Sequence, residues 1–289
     1  MFASLLLVAA ALSAQDTTFA IRAGDRLRVS THEGDITVRS WNRNEVEIRS
    51  GDTDDRRSRD VKVSRSGSVI TVDASSGWMG SESTDVVIRM PATVALSASS
   101  VEGDVMVDGI AAPVSVETVE GDVTVRGARG NISASAVDGT VILRDTEGNI
   151  TATSVNGDVL ITSARGRVSA EAVNGDVMVL ETRSDAVALS SVNGDLSFSG
   201  PLSARGQYEM STHNGDIVLG VQPGASASVT VSTFQGDFES DLSLQVRSRD
   251  DRRFSFVLGG GSASVKLDSF QGRIHVTTPE AVGRLMQDD

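Results

Sequence analysis

The sequence contains no cysteine, which rules out a disulfide framework, a thiolate metal site and a lipidated N-terminal cysteine. Aromatic residues make up only 4% of its 289 residues, with a single tyrosine and two tryptophans. Valine, alanine and serine dominate instead, and such side chains suit pleated strands around a narrow interior better than broad helix-packed cores. Lysine is nearly missing too, with only Lys62 and Lys266. Asp and Glu outnumber Lys and Arg by 39 to 26, for a net charge of −13. This balance argues against nucleic acid and against electrostatic docking on anionic lipid. Beyond the N-terminus, no apolar stretch approaches the roughly 18 residues of a membrane span.

Residues 1–14 carry no charge. The apolar run 5–12 followed by Ser13-Ala14 reads as the hydrophobic region and cleavage site of a signal peptide. Two features depart from that pattern: no Lys or Arg precedes the run, and Leu12 stands where a small residue is usual. The expectation is export to the periplasm or cell surface, with no transmembrane span after signal cleavage.

What is present is a repeat. Tetrads of the form Val101-Glu102-Gly103-Asp104 and Val155-Asn156-Gly157-Asp158 recur, ending as Phe234-Gln235-Gly236-Asp237 and Phe270-Gln271-Gly272-Arg273. Their glycines, Gly103, Gly121, Gly139, Gly157, Gly175, Gly194, Gly215, Gly236 and Gly272, are separated by 18, 18, 18, 18, 19, 21, 21 and 36 residues. An outlying copy, His32-Glu33-Gly34-Asp35, sits near the N-terminus. Weaker corners recur midway, at Gly130, Gly148 and Gly166. Each unit therefore holds two strands and two corners. Within the strands, pairs such as Val159 and Ile161 point one way and Leu160 the other. The second face turns apolar from Ile142 to Met178, as though partly covered.

An antiparallel meander with Asn-Gly hairpin turns would pair Val155 with Asp158, apolar against polar at every turn. A solenoid avoids that conflict, because like positions stack on like and each glycine marks a bend that needs an unusual backbone conformation. The fold expected is all-β: a parallel, right-handed β-solenoid with 18–21 residues per coil. Asn156, Asn174, Asn193 and Asn214 would then form an amide ladder. Residues 15–97 read as an N-terminal β-rich cap and 98–278 as the solenoid with a C-terminal cap. Phe234, Phe238, Phe254, Phe256 and Phe270 would plug that end. Residues 279–289 are a tail, either a short helix or without fixed structure.

With these tetrads, the run Gly34-Asp-Ile-Thr-Val-Arg-Ser-Trp41 and the Gly259-Gly-Gly261 turn, the chain resembles the bacterial putative-adhesin β-strand-repeat family. That family is an exported domain of unknown function. The resemblance covers about residues 17 to 278. It implies an architecture and an envelope setting but brings no catalytic residues, since fold does not imply function.

The Gly-Asp corners invite a cation reading, with Asp158, Asp176, Asp195 and Asp216 as weak Ca²⁺ ladder candidates. The calcium-binding nonapeptide repeats, however, carry paired glycines that are missing here. A purely structural corner accounts for the same residues, because carboxylates at this spacing repel by only about 1 kcal/mol each in water. His32, His213 and His275 show no ligand spacing. Nucleophile elbows and phosphate loops are lacking, and no cofactor is expected. Trp78 and Met79, in a Ser/Gly-rich loop, are the candidates for an exposed apolar contact. The function expected is that of a non-enzymatic, exported cell-envelope structural or interaction protein, adhesin-like in role, presenting solenoid faces to an envelope protein or glycan. The alternatives are a carbohydrate-active enzyme (lyase or hydrolase) on the same fold, marked by a cleft with convergent acids, and an accessory protein of envelope-stress sensing.

Overall fold

Alternation along the strands of the regular coils gives each one an apolar side to bury, and the repeat length fixes what lies beside it. The computed structural model describes residues 16–22, 24–50, 61–74, 84–250 and 253–285. Their strands form two sheets, one of 13 and one of 14 strands. A regular coil gives a long strand to one sheet and a four-residue strand to the other. Glu147–Asn156 bends at Gly157 into Val159–Thr162, which bends again into Arg165–Asn174. Neighbours in a sheet are one coil apart, parallel and in register: Val141 beside Val159 beside Val177, and Ile150 beside Val168 beside Val187. In the regular coils, strands adjacent in sequence thus lie in opposite sheets, as a solenoid requires and a meander forbids.

Coils longer than 18 residues take up the excess at the second corner. One extra residue is absorbed by a register irregularity at the start of Arg183–Asn193. Loops between Leu196–Ser199 and Gln207–Asn214, and between Ile217–Gly220 and Ala227–Gln235, absorb the rest.

The inward side chains of both sheets make one core. In the middle coils it is narrow, with Val159 and Ile161 from one sheet and Ile150 and Ala152 from the other, all essentially inaccessible. It widens toward the C-terminal end, where Leu189, Phe198, Tyr208 and Met210 replace smaller residues. The Phe198 and Tyr208 rings lie 5.5 Å apart. The buried Tyr208 hydroxyl donates to the Ser184 carbonyl at 2.7 Å and accepts the Ser203 N–H at 2.8 Å, so its polar end is satisfied.

At both ends, order along the stack departs from order along the chain. The coil made by Arg26–Ser30 and Ile36–Trp41 lies between the coil of Val69–Asp73 and Val86–Pro91 and that of Ala95–Glu102 and Val105–Asp108. Likewise, the last coil in sequence, Ala263–Gln271 with Ile274–Thr277, is inserted between two earlier ones. The 36-residue step from Gly236 to Gly272 is therefore a detour, and Gly272 stacks between Gly215 and Gly236. Antiparallel strands finish both ends: Asp16–Ala20, Glu45–Ser50 and Lys62–Ser66 at one, Gln245–Asp250 and Arg253–Leu258 at the other. The region expected to be an N-terminal cap supplies these strands and also two coils of the stack itself.

Two of the five phenylalanines expected to plug the C-terminal end do not. Phe256 is buried, and Phe238 packs against it and Phe254, but Phe234 and Phe270 stand outside, 44% and 40% exposed. Both occupy the first tetrad position, which points outward in every coil. The tail begins as a helix, α1 (Pro279–Leu285). It covers the outer face of the short-strand sheet by seating Val282 over Gly220, where any side chain would collide with it.

Candidate interaction surface

Each tetrad carries the chain from the long-strand sheet into the short-strand sheet, and its four positions form four columns down the molecule. The glycine column is the tightest. A Cβ on any of the nine repeat glycines would lie 1.9–2.4 Å from the carbonyl oxygen of the glycine on the neighbouring coil. Gly139, Gly175, Gly194, Gly215 and Gly236 do not have left-handed φ angles. This corrects the expectation that each corner needs glycine for an unusual backbone conformation. Close approach of stacked backbones excludes the side chain instead.

Those carbonyls are capped from inside. The hydroxyls of Thr118, Ser154, Ser191, Thr212 and Ser269 donate to them at 2.8–3.1 Å. The sequence reading missed this device. Its signal is the Ser or Thr that precedes most tetrads, a buried polar position that needs a partner.

In the aspartate column, the carboxylates of Asp104, Asp122 and the four calcium-ladder candidates each accept a backbone N–H from the next coil. Asp158 accepts from Asp176 at 2.9 Å, Asp176 from Asp195 at 2.8 Å, and Asp195 from Asp216 at 2.7 Å. Asp216 accepts the Arg273 N–H at 2.7 Å and its guanidinium at 3.1 Å. One oxygen of each calcium-ladder candidate is thus committed to the stack, and each negative charge has an N–H dipole against it. Among the described residues no group of three or more His, Asp or Glu side chains is placed to hold a metal ion.

The amide column forms the expected ladder. Asn174 donates to Asn156 and Asn193 to Asn174, both at 2.9 Å, and Asn214 donates to Asn193 at 2.8 Å. Asp138 ends the run by accepting from Asn156 at 2.7 Å, and Gln271 to Gln235 repeats it at 3.1 Å.

The first column is an apolar ridge on the outer surface. It runs Val101, Val119, Val137, Val155, Val173, Val192, His213, Phe270, Phe234. Its valines and phenylalanines are between 37% and 46% exposed. Among the described residues, every exposed large hydrophobic side chain except Val87 belongs to it. His213 stacks on Phe270 at 4.7 Å and Phe270 on Phe234 at 4.9 Å, with ring planes within 7° and 5° of parallel. Both histidines that replace the usual residue of this column, His32 and His213, are exposed.

Three of the grooves on the described surface lie near these columns and corners. One of about 660 Å³ crosses Arg28, Ser97, Ser115 and Ser133, and one of about 460 Å³ runs beside His213, Phe270 and Asp268. The third, about 480 Å³, follows the second corners. There arginines alternate with exposed acids, as in Arg129–Glu147 at 3.9 Å. His275 lies elsewhere, 3.1 Å from Asp241. The hydrogen bond from the Thr277 hydroxyl, and then His275, hold the Asp241 carboxyl below its usual range. Ile142, Leu160 and Met178, the apolar stretch of the second face, are half-buried. Trp78 and Met79, and residues 1–14, where a signal peptide is expected, lie outside the described residues.

Two long, mainly parallel sheets of short strands, joined by stacked glycine corners, define a β-solenoid of the β-strand-repeat class. The family model of Toastrack DUF4097 matches residues 25–277, and the chain belongs to that family. Comparison with curated proteins yielded no match. One of two matching solved chains is the crystal structure of a "putative cell adhesion protein" from Clostridium sporogenes ATCC 15579. It is 7% identical, with 91% of this chain and 98% of that one covered and a TM-score of 0.24. An overlap so loose bears on neither mechanism nor partner.

Proposed function

We propose that this protein is an exported, non-enzymatic component of the cell envelope that works as a scaffold, presenting solenoid faces to a protein or glycan partner in the manner of an adhesin. The observation that supports this reading is the regularity of its surface. Polar groups of the corner columns are spread one per coil and spent on coil-to-coil hydrogen bonds. The acids of the second corners, Asp145, Glu147 and Glu181, share their groove with Arg129, Arg165 and Arg183, whereas glycosidic cleavage needs two carboxyl groups converging on one bond. The same regularity favours binding through many weak, repeated contacts, which suits an extended partner.

The test is protease accessibility of a C-terminally tagged copy on intact cells, with lysed cells as control. Cleavage on intact cells is the result expected of an adhesin-like surface protein. Protection until lysis points to a periplasmic scaffold. Retention in the cytoplasm overturns the proposal.

A further inference from the structure

The apolar ridge is too long and too continuous to be a scatter of surface residues, and its flanks carry a pattern the repeat itself does not require. In stack order the ridge has ten positions, beginning with His32 and Val101 and ending with Phe270 and Phe234; the isolated bridge between Glu33 and Glu102 sets His32 beside Val101. At about 4.8 Å per coil it is about 40 Å long. With its two flanking columns, about 15–20 Å across, it offers on the order of 700 Å². That is close to the roughly 800 Å² per partner of a stable protein interface.

We infer that the ridge is the contact surface for a second copy of this chain, packed antiparallel about a two-fold axis that passes between the Val155 and Val173 coils. Such an axis sets each position against a different one. Phe270 then faces Val101, His213 faces Val119 and Val155 faces Val173 at the centre, while the outermost pair sets the Phe234 ring against the smaller His32 ring. A parallel pairing would instead set His213, Phe270 and Phe234 each against its own copy, crowding three ring pairs at one end and leaving a wedge along the valines.

The flanking column repeats this complementarity in hydrogen-bonding chemistry. Its first four positions are acids, Glu33, Glu102, Glu120 and Asp138, and its last six are amides. Reversed on itself, the column puts Glu102 against Gln271, Glu120 against Asn214 and Asp138 against Asn193. Every carboxylate thus meets an amide NH₂. The ladder uses one hydrogen of each such group and leaves the other. On the opposite flank Glu117 faces Ser211 and Glu171 faces Thr153, so no like charges oppose one another there. The aspartate column lies past the corner glycines, at the rim, where salt screens its repulsion. A self-complementary patch is what a closed two-fold dimer requires.

The test is the mass of the full chain in solution by sedimentation, at concentrations of about 100 μM, well above the Kd of even a weak micromolar interface. A dimer is expected. Val155→Glu, which sets a carboxylate beside the axis at an exposed position, should give a monomer that still unfolds cooperatively, at a melting temperature that no longer rises with concentration. Val155→Glu combined with Val173→Lys should restore the dimer. The register is read separately, on a background free of native cysteine. A mixture of Val101→Cys chains and Phe270→Cys chains should form a disulfide-linked pair. Val101→Cys chains alone should not, because their sulfurs would lie about 30 Å apart. A wild-type monomer at these concentrations, a dimer indifferent to Val155→Glu, or cross-linking of Val101→Cys chains to each other overturns the inference.

Discussion

The smallest decision in this molecule is the removal of a Cβ. At Gly175 that atom would stand 2.2 Å from the Gly157 carbonyl oxygen, and neither coil can retreat without breaking the hydrogen bonds on both sides. Gly175→Ala should therefore cost about 2–4 kcal/mol, in the range of overpacked core substitutions. Gly127 is glycine for a different reason. Its φ is +62°, and nothing lies closer than 3.7 Å to its would-be Cβ. One and two coils on, the same corner holds Asp145 and Ser163 at φ 53° and 56°. Asn is among the side chains that best tolerate that region, so Gly127→Asn should change stability by less than about 1 kcal/mol. Urea denaturation of the two variants separates close approach from backbone conformation. Equal losses would refute the distinction.

At the scale of the element, the end strands are the weak point, because each has a neighbour on one side only. Lys62–Ser66 is tied to the stack by Arg65, whose guanidinium pairs with the buried Asp25 just before Arg26–Ser30. Burial by itself raises the Asp25 pKa. The Arg22 N–H at 2.7 Å and the Arg65 guanidinium outweigh it and hold the carboxyl below its usual value. A carboxyl depressed on folding contributes stability that is full above the unfolded pKa of about 4 and lost as pH falls through the folded value. Asp25→Asn should accordingly lower the melting temperature at pH 7, and the gap from the parent should close as pH falls below about 4. A gap that stays constant down to pH 2 would show that the ion pair contributes nothing. The hydroxyl caps beneath the glycine carbonyls belong to this scale too. They are legible in sequence only once it is known that the residue before the tetrad points inward.

Considered whole, the molecule is a stack whose middle is interchangeable and whose ends are not. Deleting residues 140–157 joins Gly139 to Asp158 and rebuilds a Val-Asp-Gly-Asp corner with every column in register. That variant should unfold cooperatively with a modestly lower melting temperature, as nearest-neighbour repeat energetics predict. Removing residues 259–289 takes out the coil that lies between two others and should abolish cooperative unfolding of the C-terminal end. Circular dichroism melts combined with size exclusion check both. A truncated chain that melts like the parent would contradict the inserted order. That order also makes the contacts strongly non-local, an arrangement associated with slow folding.

The sequence by itself determined the period-2 alternation, the 18-residue step, the narrow valine and alanine core and the amide ladder, because each follows from a residue and its counterpart one coil away. Tertiary structure alone decided which coil lies beside which at the ends. The repeats are near copies, and an open sheet edge accepts any of them on local grounds, so the choice rests on long-range closure and on the antiparallel strands that finish each sheet. Phe234 and Phe270 stand on the outer ridge and not in the expected end plug. Their place in the tetrad fixed the direction they point, and the inserted coil set their rings face to face.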